Sequence, residues 1–248
     1  LPICYPVKGL SPEPLPRTEL ERGRTVPFDR AYAIENGPSG FDPANPVYMP
    51  KIRFLMLMRN ERLATLRTKF DDHNHTLSIH WERREAARGD LRTPEGRAAI
   101  ERFMAEFEAD ELRGPPKVLA APGHSFSDVA KKVISIINLA SVAELENAAG
   151  APVDPLRFRG NLLVKGWPAW REFDLLGETI AIGPKARLKV VKRIVRCAAT
   201  EVDPDTGIRD LPIPKTIMDT WGHADCGVYA EVIEGGPIAQ RDTIRVIG

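Results

Sequence analysis

The segment from Lys185 to Cys197 places a thiol at the end of a dense run of positive charge. It contains six Lys or Arg residues and no acidic residue before it reaches Cys197. Neighbouring cations stabilise a thiolate, which is the form that ligates metals and attacks electrophiles, and they also suit an anion such as a phosphate. If 187–197 is a strand, the alternation of side chains puts Cys197 on the same face as Arg193 and Val195. A solvated edge strand, in which lysines discourage edge pairing, is the structural alternative.

Three histidines in the segment DDHNHTLSIHW form a second group with ligand chemistry. His73 and His75 make an H-x-H pair, which on a strand would put both rings on one face, and His80 follows. The acids before the pair and Asn74 within it are typical of a turn. The sequence therefore favours a polar hairpin over a metal site.

Other motifs that carry chemistry are incomplete or missing from the sequence. His223 and Cys226 make only half of a metal site, and we expect Cys226 to be a small buried residue at the start of an apolar strand. The stretch VDPDTG at 202–207 lacks the further acids and the closing glutamate of a calcium loop, so it predicts a tight turn. Neither a glycine-rich dinucleotide motif, nor a P-loop, nor G-x-S-x-G occurs, so hydrolase and dinucleotide-binding functions have no anchor.

Composition and charge favour a cytoplasmic globular protein. The 248 residues are 43% hydrophobic and 28% charged, which is ordinary for a soluble domain. A formal charge of +1 argues against a protein that mainly coats nucleic acid. Three cysteines are too few for a disulfide framework or an iron–sulfur cluster and suit a reducing compartment. No apolar run approaches the roughly 18–20 residues that span a bilayer, and the start at Leu1 leaves targeting at the true N-terminus undefined.

Apolar spacing and turn residues predict a mainly β protein with some helix, of the α+β class. Thr93 is a good helix cap and Pro94 a good first helical residue. Ser141 and Glu144 form a capping box before a short helix that Gly150 should end. Predicted helices cover 60–70 and 94–111, a linker covers 113–124, and predicted strands cover 53–58, 76–81, 161–165, 178–182, 186–202, 226–233 and 241–247. The later strands predict a closed or nearly closed barrel.

Three ordered stretches resemble the MOSC domain, which is named for the C-terminal part of the molybdenum cofactor sulfurases. They are RFRGNLLVKGWPAW (157–170), RCAATEVDPDTG (196–207) and CGVYAEVIEGGPIAQRDTIRV (226–246). YPVKGLSPEPL (5–15) and the FDR of 28–30 resemble the β-barrel domain that precedes it in many members. The resemblance implies an N-terminal β-rich domain with a helical insertion over 1–118 and a MOSC-type β-barrel over 119–248.

The pattern is most similar to that of the amidoxime-reducing group of this family, and that similarity implies a set of site residues. Cys197 falls on the cysteine that ligates molybdenum, and a thiolate suits a metal that already carries dithiolene sulfurs. The resemblance assigns cofactor binding to Lys8, Arg30, Arg159, Asn161 and Tyr229, and a gapless alignment adds Lys131 and Lys132, where the amidoxime reducers have a Thr-Ser pair. Besides the two lysines, three residues depart from the pattern: Gly160 replaces a proline, Cys226 replaces an aromatic residue, and Val195 replaces a small or polar one.

The implied function is that of a molybdenum cofactor-dependent oxidoreductase, which reduces small N-hydroxylated or N-oxide-type substrates. The cofactor is the molybdenum–molybdopterin group, and it supplies the difficult redox chemistry. Because the chain lacks a cysteine cluster, electrons are expected from a separate flavin, haem or iron–sulfur protein. The resemblance covers most of these 248 residues, so the pyridoxal phosphate half of the sulfurases is not expected among them. The alternative is a non-catalytic cofactor carrier or sulfur-relay protein, and a nucleic-acid module on the basic strand would show steeply salt-dependent binding.

Overall fold

Strands dominate the fold, and the computed structural model describes residues 1–247. In chain order the strands are β1 (Ile3–Cys4), β2 (Glu13–Pro14), β3 (Arg17–Leu20), β4 (Tyr32–Glu35), β5 (Arg67–Asp71), β6 (Thr76–Trp81), β7 (Arg84–Asp90), β8 (Lys117–Ala120), β9 (Ile134–Asn138), β10 (Leu162–Val164), β11 (Thr179–Ile182), β12 (Ala186–Val195), β13 (Asp225–Glu234), β14 (Gly236–Ala239) and β15 (Ile244–Ile247). The α-helices are α1 (Pro94–Phe107), α2 (Leu139–Ala149), α3 (Arg171–Asp174) and α4 (Ile213–Trp221). Short 3-10 helices cover Lys51–Arg53, Glu61–Thr65, Pro155–Phe158 and Ala198–Glu201. Across residues 1–247, no helix is both long and apolar enough to cross a bilayer.

Six strands form one sheet in the order β10-β9-β13-β12-β11-β15. All neighbouring pairs are antiparallel except β9 and β10, which are parallel. The sheet curls into a half-barrel, so the predicted barrel is open, with β10 and β15 at its edges. The prediction of a mainly β fold with some helix is confirmed.

The basic segment forms β12, an interior strand between β11 and β13. Leu188 and Val190 are buried in the core while Lys189 between them is exposed, which is the alternation of a half-buried strand. The edge-strand alternative is therefore wrong. The strand ends at Val195, so the predicted strand over 186–202 is too long, and Cys197 lies beyond the part in which alternation assigns faces.

The first part of the chain forms smaller sheets around a second apolar cluster. β5, β6 and β7 make a three-stranded antiparallel sheet, β4 pairs with β8, and α1 packs against β7 and β8. This part also contacts the C-terminal part of the chain directly: β3 pairs with β14 in a separate two-stranded sheet, and the Ile3 N–H donates to the Asn161 carbonyl at 2.7 Å. The predicted linker over 113–124 is wrong because β8 lies inside it. The division into domains at 118/119 stays a prediction.

Several local predictions are confirmed and others are wrong. The strand over 76–81 matches β6, and α1 begins after Thr93, whose side chain accepts from the Gly96 N–H, although the helix ends at Phe107. Residues 54–57 of the run 53–58 are buried, but the run forms no strand, because an apolar run of this length does not by itself distinguish a strand from another buried segment. The predicted helix over 60–70 is a 3-10 turn followed by β5, whose register is set by pairing with β6.

The capping box assigned to Ser141 is also wrong, although the helix exists. Asn138 caps α2 by accepting from the Ala140 N–H at 3.1 Å, and Ser141 lies inside the helix, where it donates to the buried Glu172 carboxylate. Gly150 ends α2 in the left-handed conformation with φ of 66°, as predicted.

Glu108, at the C-terminal end of α1, is a buried carboxyl group with incomplete hydrogen bonding. It is 1% exposed, its Oε2 accepts from Asn60 Nδ2 at 3.3 Å, and its Oε1 has no partner within the described residues. Burial raises its pKa from 4.5 to about 7, although Asn60 and Arg62 oppose the shift. The pKa of Glu108 is higher in the folded state than in the unfolded state, so the folded state holds this proton more tightly. The resulting free energy of stabilisation is fully present below about pH 4.5 and is lost as the pH rises towards 7.

We expect Glu108→Gln to increase the free energy of unfolding, relative to the native protein, more at pH 8 than at pH 5. Glutamine keeps an acceptor for Asn60 and removes the buried charge, so its advantage over Glu108 should grow by on the order of 2–3 kcal/mol between these pH values. Urea unfolding at both pH values measures it, with the exposed Glu106→Gln as control. A pH-independent difference would contradict the assignment.

Candidate functional site

A cavity of about 280 Å³ opens where the N-terminal segment meets the half-barrel. It is strongly basic, because eight of its lining side chains are Lys or Arg and only two are Asp. Most of the residues that the resemblance selected line it: Lys8, Arg30, Arg159, Asn161, Cys197 and Tyr229. They come from distant parts of the chain, so the fold itself assembles the site.

The Asp29–Arg30 pair anchors one side of the cavity. The Asp29 carboxylate is 3% exposed, and its Oδ2 accepts from Arg30 Nη1 at 2.5 Å. Arg30 Nη2 also donates to the Arg159 carbonyl at 3.0 Å. Burial opposes the charge of Arg30, but Asp29 outweighs it and raises the pKa of Arg30. Arg30 is thus a fixed cation that joins the FDR motif at 28–30 to the RFRGN motif at 157–161.

Arg159 has spare hydrogen-bonding capacity at the same place. Its guanidinium lies over the Tyr5 ring, 4.2 Å from the ring centroid, with Arg30 4.7 Å from the same centroid. Its Nη2 is buried and has no hydrogen-bond partner among residues 1–247. Burial lowers the pKa of Arg159 to about 10. An unpartnered buried guanidinium N–H at a cavity favours an anionic ligand.

Asn161, in contrast, is fully occupied by the protein. Its Oδ1 accepts from the Ser135 N–H and Oγ at 3.1 and 2.8 Å, while Nδ2 donates to the Ile3 carbonyl and to Asp29 Oδ1 at 3.2 and 2.9 Å. Both amide hydrogens and both lone pairs are therefore used. Asn161 shapes the cavity wall, and its amide has no free group for a ligand.

Gly160 explains one departure from the family pattern. A Cβ at this position would lie 2.3 Å from Ile137 Cγ1, so the buried Ile137 side chain fills the space that a proline ring would need. A glycine here lets the backbone between Arg159 and Asn161 lie directly against β9.

Lys8, Asp128 and Lys51 form a charged chain at the cavity. The Lys8 ammonium is buried and donates to the Phe126 carbonyl at 2.9 Å and to the Asp128 carboxylate. Lys51 lies 3.6 Å from the other Asp128 oxygen. Burial lowers the pKa of Lys8, whereas the two lysines together hold the pKa of Asp128 well below its usual range despite burial. Asp128 therefore stays ionised.

Cys197 is half-buried and lies at the start of the 3-10 helix Ala198–Glu201. Its carbonyl accepts from the Thr200 N–H and Oγ1 at 3.0 and 2.9 Å, which fixes the backbone at the cysteine. Lys51 Nζ lies 3.1 Å from Cys197 Sγ and donates to it. The sequence carried no signal for this contact, because 146 residues separate the two positions.

Two arginines brace the loops around the cysteine. The buried Arg157 side chain forms ion pairs with the more exposed Asp203 and Asp210, which tie the RFRGN loop to the predicted VDPDTG turn and the residues after it. Asp203 accepts from the Thr206 N–H and Oγ1, both at 2.8 Å, and so confirms that turn. Arg196 donates to the Phe158 carbonyl at 2.9 Å and to the Cys226 carbonyl at 2.7 Å. The sequence did not indicate these ion pairs or the bracing role of Arg196, although Asp203 and Arg196 lie inside the 196–207 motif; Asp210 lies three residues beyond it.

The remaining three predicted residues lie in three different places. Tyr229 lies on β13 at the cavity, and burial raises its pKa. Lys131 is exposed and pairs with Glu231, while Lys132 lines a different cavity. In the same loop as these two lysines, it is Ser127, Asp128 and Val129 that line the basic cavity.

The histidine segment forms a hairpin tip. Asp71 accepts from the His73 N–H at 3.0 Å and from Asn74 Nδ2 at 2.8 Å, as a polar turn predicts. Cys226 is fully buried at the start of β13, as expected. In the described part of the chain, no three His, Cys, Asp or Glu residues come together as metal ligands. A metal at Cys197 would therefore need ligands from a cofactor.

The family of the chain follows from comparison with known domains. The MOSC domain matches residues 121–245, which is half of the sequence. The chain belongs to the MOSC domain family. This match covers the half-barrel and the loop that carries Cys197, whereas Lys8, Arg30 and Lys51 precede the matched MOSC region. No curated protein matches the chain.

Solved structures similar to this MOSC protein have low sequence identity. YiiM from Geobacillus stearothermophilus is 22% identical over 46% of this chain and 54% of its own, with a TM-score of 0.37. YiiM from Escherichia coli is 18% identical over 46% of this chain and 54% of its own, with a TM-score of 0.33. The chain thus spans about half the length of the YiiM structures. The YUAD protein from Bacillus subtilis is 13% identical over 99% of this chain and 92% of its own, with a TM-score of 0.46.

We expect Gly160→Ala to destabilise the protein by about 1–3 kcal/mol, because the added methyl overpacks against Ile137. The same change made in an Ile137→Ala background should cost much less, since Cγ1 is then absent. A double-mutant cycle in urea measures this coupling. Equal costs in both backgrounds would show that Ile137 is not what excludes a side chain at position 160.

Proposed function

We propose that this chain binds a molybdenum–pterin cofactor in the basic cavity, with Cys197 as the protein ligand to the metal. The main support is that Arg159, whose buried Nη2 has no hydrogen-bond partner among the described residues, and the Cys197 thiol line one cavity. A soft thiolate suits such a metal, and a guanidinium suits a phosphate through paired N–H donors. The residues present therefore fit this group.

Each side chain has a distinct task under this proposal. Arg159, with Arg30 beside it, binds the anionic end of the cofactor, and Lys8 adds a buried positive charge. Lys51 holds the Cys197 sulfur through its ammonium group and so orients the ligand. Arg196 and Arg157 fix the two loops that carry Arg159 and Cys197. Asn161 positions the N-terminal segment against β9.

The reaction that we propose is the reduction of small N-hydroxylated or N-oxide-type substrates. When bound, the cofactor supplies the two-electron redox chemistry at its metal. The protein contributes the fixed cations, the thiol and a cavity that faces solvent on one side. Electrons come from a separate protein with a flavin, haem or iron–sulfur centre. Exposed Val195 and the cations Lys192 and Arg193 border the cavity and offer that donor a basic contact surface.

Cys197→Ala should lose most of its molybdenum and pterin when expressed with excess molybdate. The matched control is Cys226→Ala, because Cys226 is buried in an apolar cluster outside the cavity lining and its loss should leave the content unchanged. Metal analysis by mass spectrometry and pterin fluorescence measure both. Equal molybdenum and pterin in both variants would exclude Cys197 as the ligand. Absence of both from the native protein would contradict the cofactor proposal itself.

Lys51→Met should lower molybdenum affinity by about tenfold, the lower end for partners that orient a metal ligand. Arg53→Met is the control, since Arg53 lies on the same short helix, is exposed and does not line the cavity. Molybdenum retained after dialysis against a chelator is the measurement. Unchanged retention in Lys51→Met would show that its contact with Cys197 has no role in holding the metal.

The carrier alternative is distinguished by turnover of the loaded protein. With reduced methyl viologen as donor, the reductase proposal predicts conversion of an N-hydroxyamidine to the amidine by native protein and not by Cys197→Ala. A fully loaded protein that shows no turnover, yet transfers its cofactor to an apo-enzyme, would establish the carrier instead.

A further inference from the structure

A second, larger cavity of about 600 Å³ lies beside the first and shares only Asp29 with its lining. Its walls come from the turn 21–29, the residues after β8, the start of α1 and the hairpin tip at His75. Of the residues that the family resemblance assigned to cofactor binding, Lys132 is the one that lines this cavity. The second cavity therefore needs its own explanation.

One wall of this cavity is aromatic. The Phe28 and His75 rings meet edge to face with centroids 5.3 Å apart, and Phe70 packs behind Phe28 at 5.5 Å. The Tyr32 hydroxyl lies 2.6 Å from His75 Nδ1, which fixes the histidine ring. Together Phe28, Tyr32 and His75 give the cavity a rigid surface against which a flat apolar group can pack.

The other notable feature is a set of cations without acidic partners. Arg24, Arg97 and Lys132 line the cavity, and none of them forms an ion pair within residues 1–247. Arg97 uses its Nε to donate to the Leu91 carbonyl at 2.5 Å, which leaves the two Nη groups of its fork. Arg92 differs, because Asp90 already pairs with it at 2.8 Å.

The acids that line the cavity do not offset these cations. Asp29 already forms an ion pair with Arg30. Glu21 is exposed and forms no ion pair in the described chain. Burial and the nearby Arg24 charge both lower the pKa of Lys132. Arg24 and Lys132 thus repel each other beside the cavity, which costs free energy that a bound anion would recover.

We propose that the second cavity binds a small aromatic carboxylate. The ring packs against Phe28, Tyr32 and His75, and the carboxylate binds the unpaired cations. The volume greatly exceeds what an inorganic anion needs, and the aromatic wall would contribute nothing to such an ion. Arginine forks match the planar carboxylate in both geometry and charge. This site does not depend on the proposed cofactor.

The test titrates benzoate into the full chain and follows binding by saturation-transfer NMR and calorimetry. Saturable binding is expected, and Arg97→Met and Lys132→Met should each weaken it about tenfold, the value of one hydrogen bond to a charged group. Matched controls are Arg102→Met on the same helix and Lys131→Met at the adjacent position, because neither residue lines the cavity. Both controls should bind benzoate as the native protein does.

Two further probes separate the components of recognition. Benzyl alcohol retains the ring without the charge, and inorganic phosphate retains charge without a ring, so each should bind much more weakly than benzoate. Cys197→Ala should bind benzoate normally, which separates this site from the cofactor cavity. The proposal would be overturned by the absence of saturable benzoate binding, by equal affinity for either probe, or by losses in the control variants as large as those in Arg97→Met and Lys132→Met.

Discussion

The buried carboxylate of Asp29 is the interaction on which the basic cavity depends. Its Oδ1 accepts from the Tyr5 N–H at 3.0 Å and from Asn161 Nδ2 at 2.9 Å, and its Oδ2 accepts from Arg30 at 2.5 Å. Three segments that are far apart in sequence thus meet at one group. Arg30 then holds the Arg159 carbonyl, so the position of the free guanidinium follows from the same carboxylate. Without Asp29, a buried arginine would lose its counter-ion and two donors their acceptor, which is among the costliest changes that a fold can undergo.

The two arginines of the RFRGN loop show how one short motif combines structure and binding. Arg157 forms ion pairs with Asp203 and Asp210, so its charge is neutralised and holds the turn that follows the cysteine. Arg159 adopts a left-handed backbone with φ of 50° and has no carboxylate partner in the described residues. A strained residue with an uncompensated buried charge persists only where the surroundings hold it in place. Folding has already removed the Arg159 charge from water, at a cost in free energy. An anion that binds in the cavity regains part of that free energy by pairing with the charge.

The predictions that were confirmed rest on local signals, although some local signals, such as the Ser141 capping box, also misled; contacts between distant residues could not be predicted. The alternation in β6, the Thr93 cap and the glycine that ends α2 involve residues within a few positions of one another, and each was predicted. The site residues Lys8, Arg30 and Arg159 could be selected only through the family resemblance, because nothing in their neighbourhoods distinguishes them from surface charges. Lys51 could not be found at all, since it precedes an apolar segment that resembles a strand and meets Cys197 only in the folded chain. The register that gave Lys132 to the cofactor places it at the second cavity and not at the basic one, because spacing along a loop does not determine which of its residues face a cavity.

The family match and the geometry together show that the cavity is a joint product of two parts of the chain. The MOSC match begins at residue 121, yet Lys8, Arg30 and Lys51 all precede it. The matched region supplies the thiol and Arg159, while the preceding segment supplies the cation at the sulfur and the carboxylate that positions the loop. Because Ile3 and Asp29 bond directly to Asn161, the earlier segment is part of the cavity wall and not an appendage. The same Asp29 turn also separates the two cavities, so a displacement of that turn would change both sites at once.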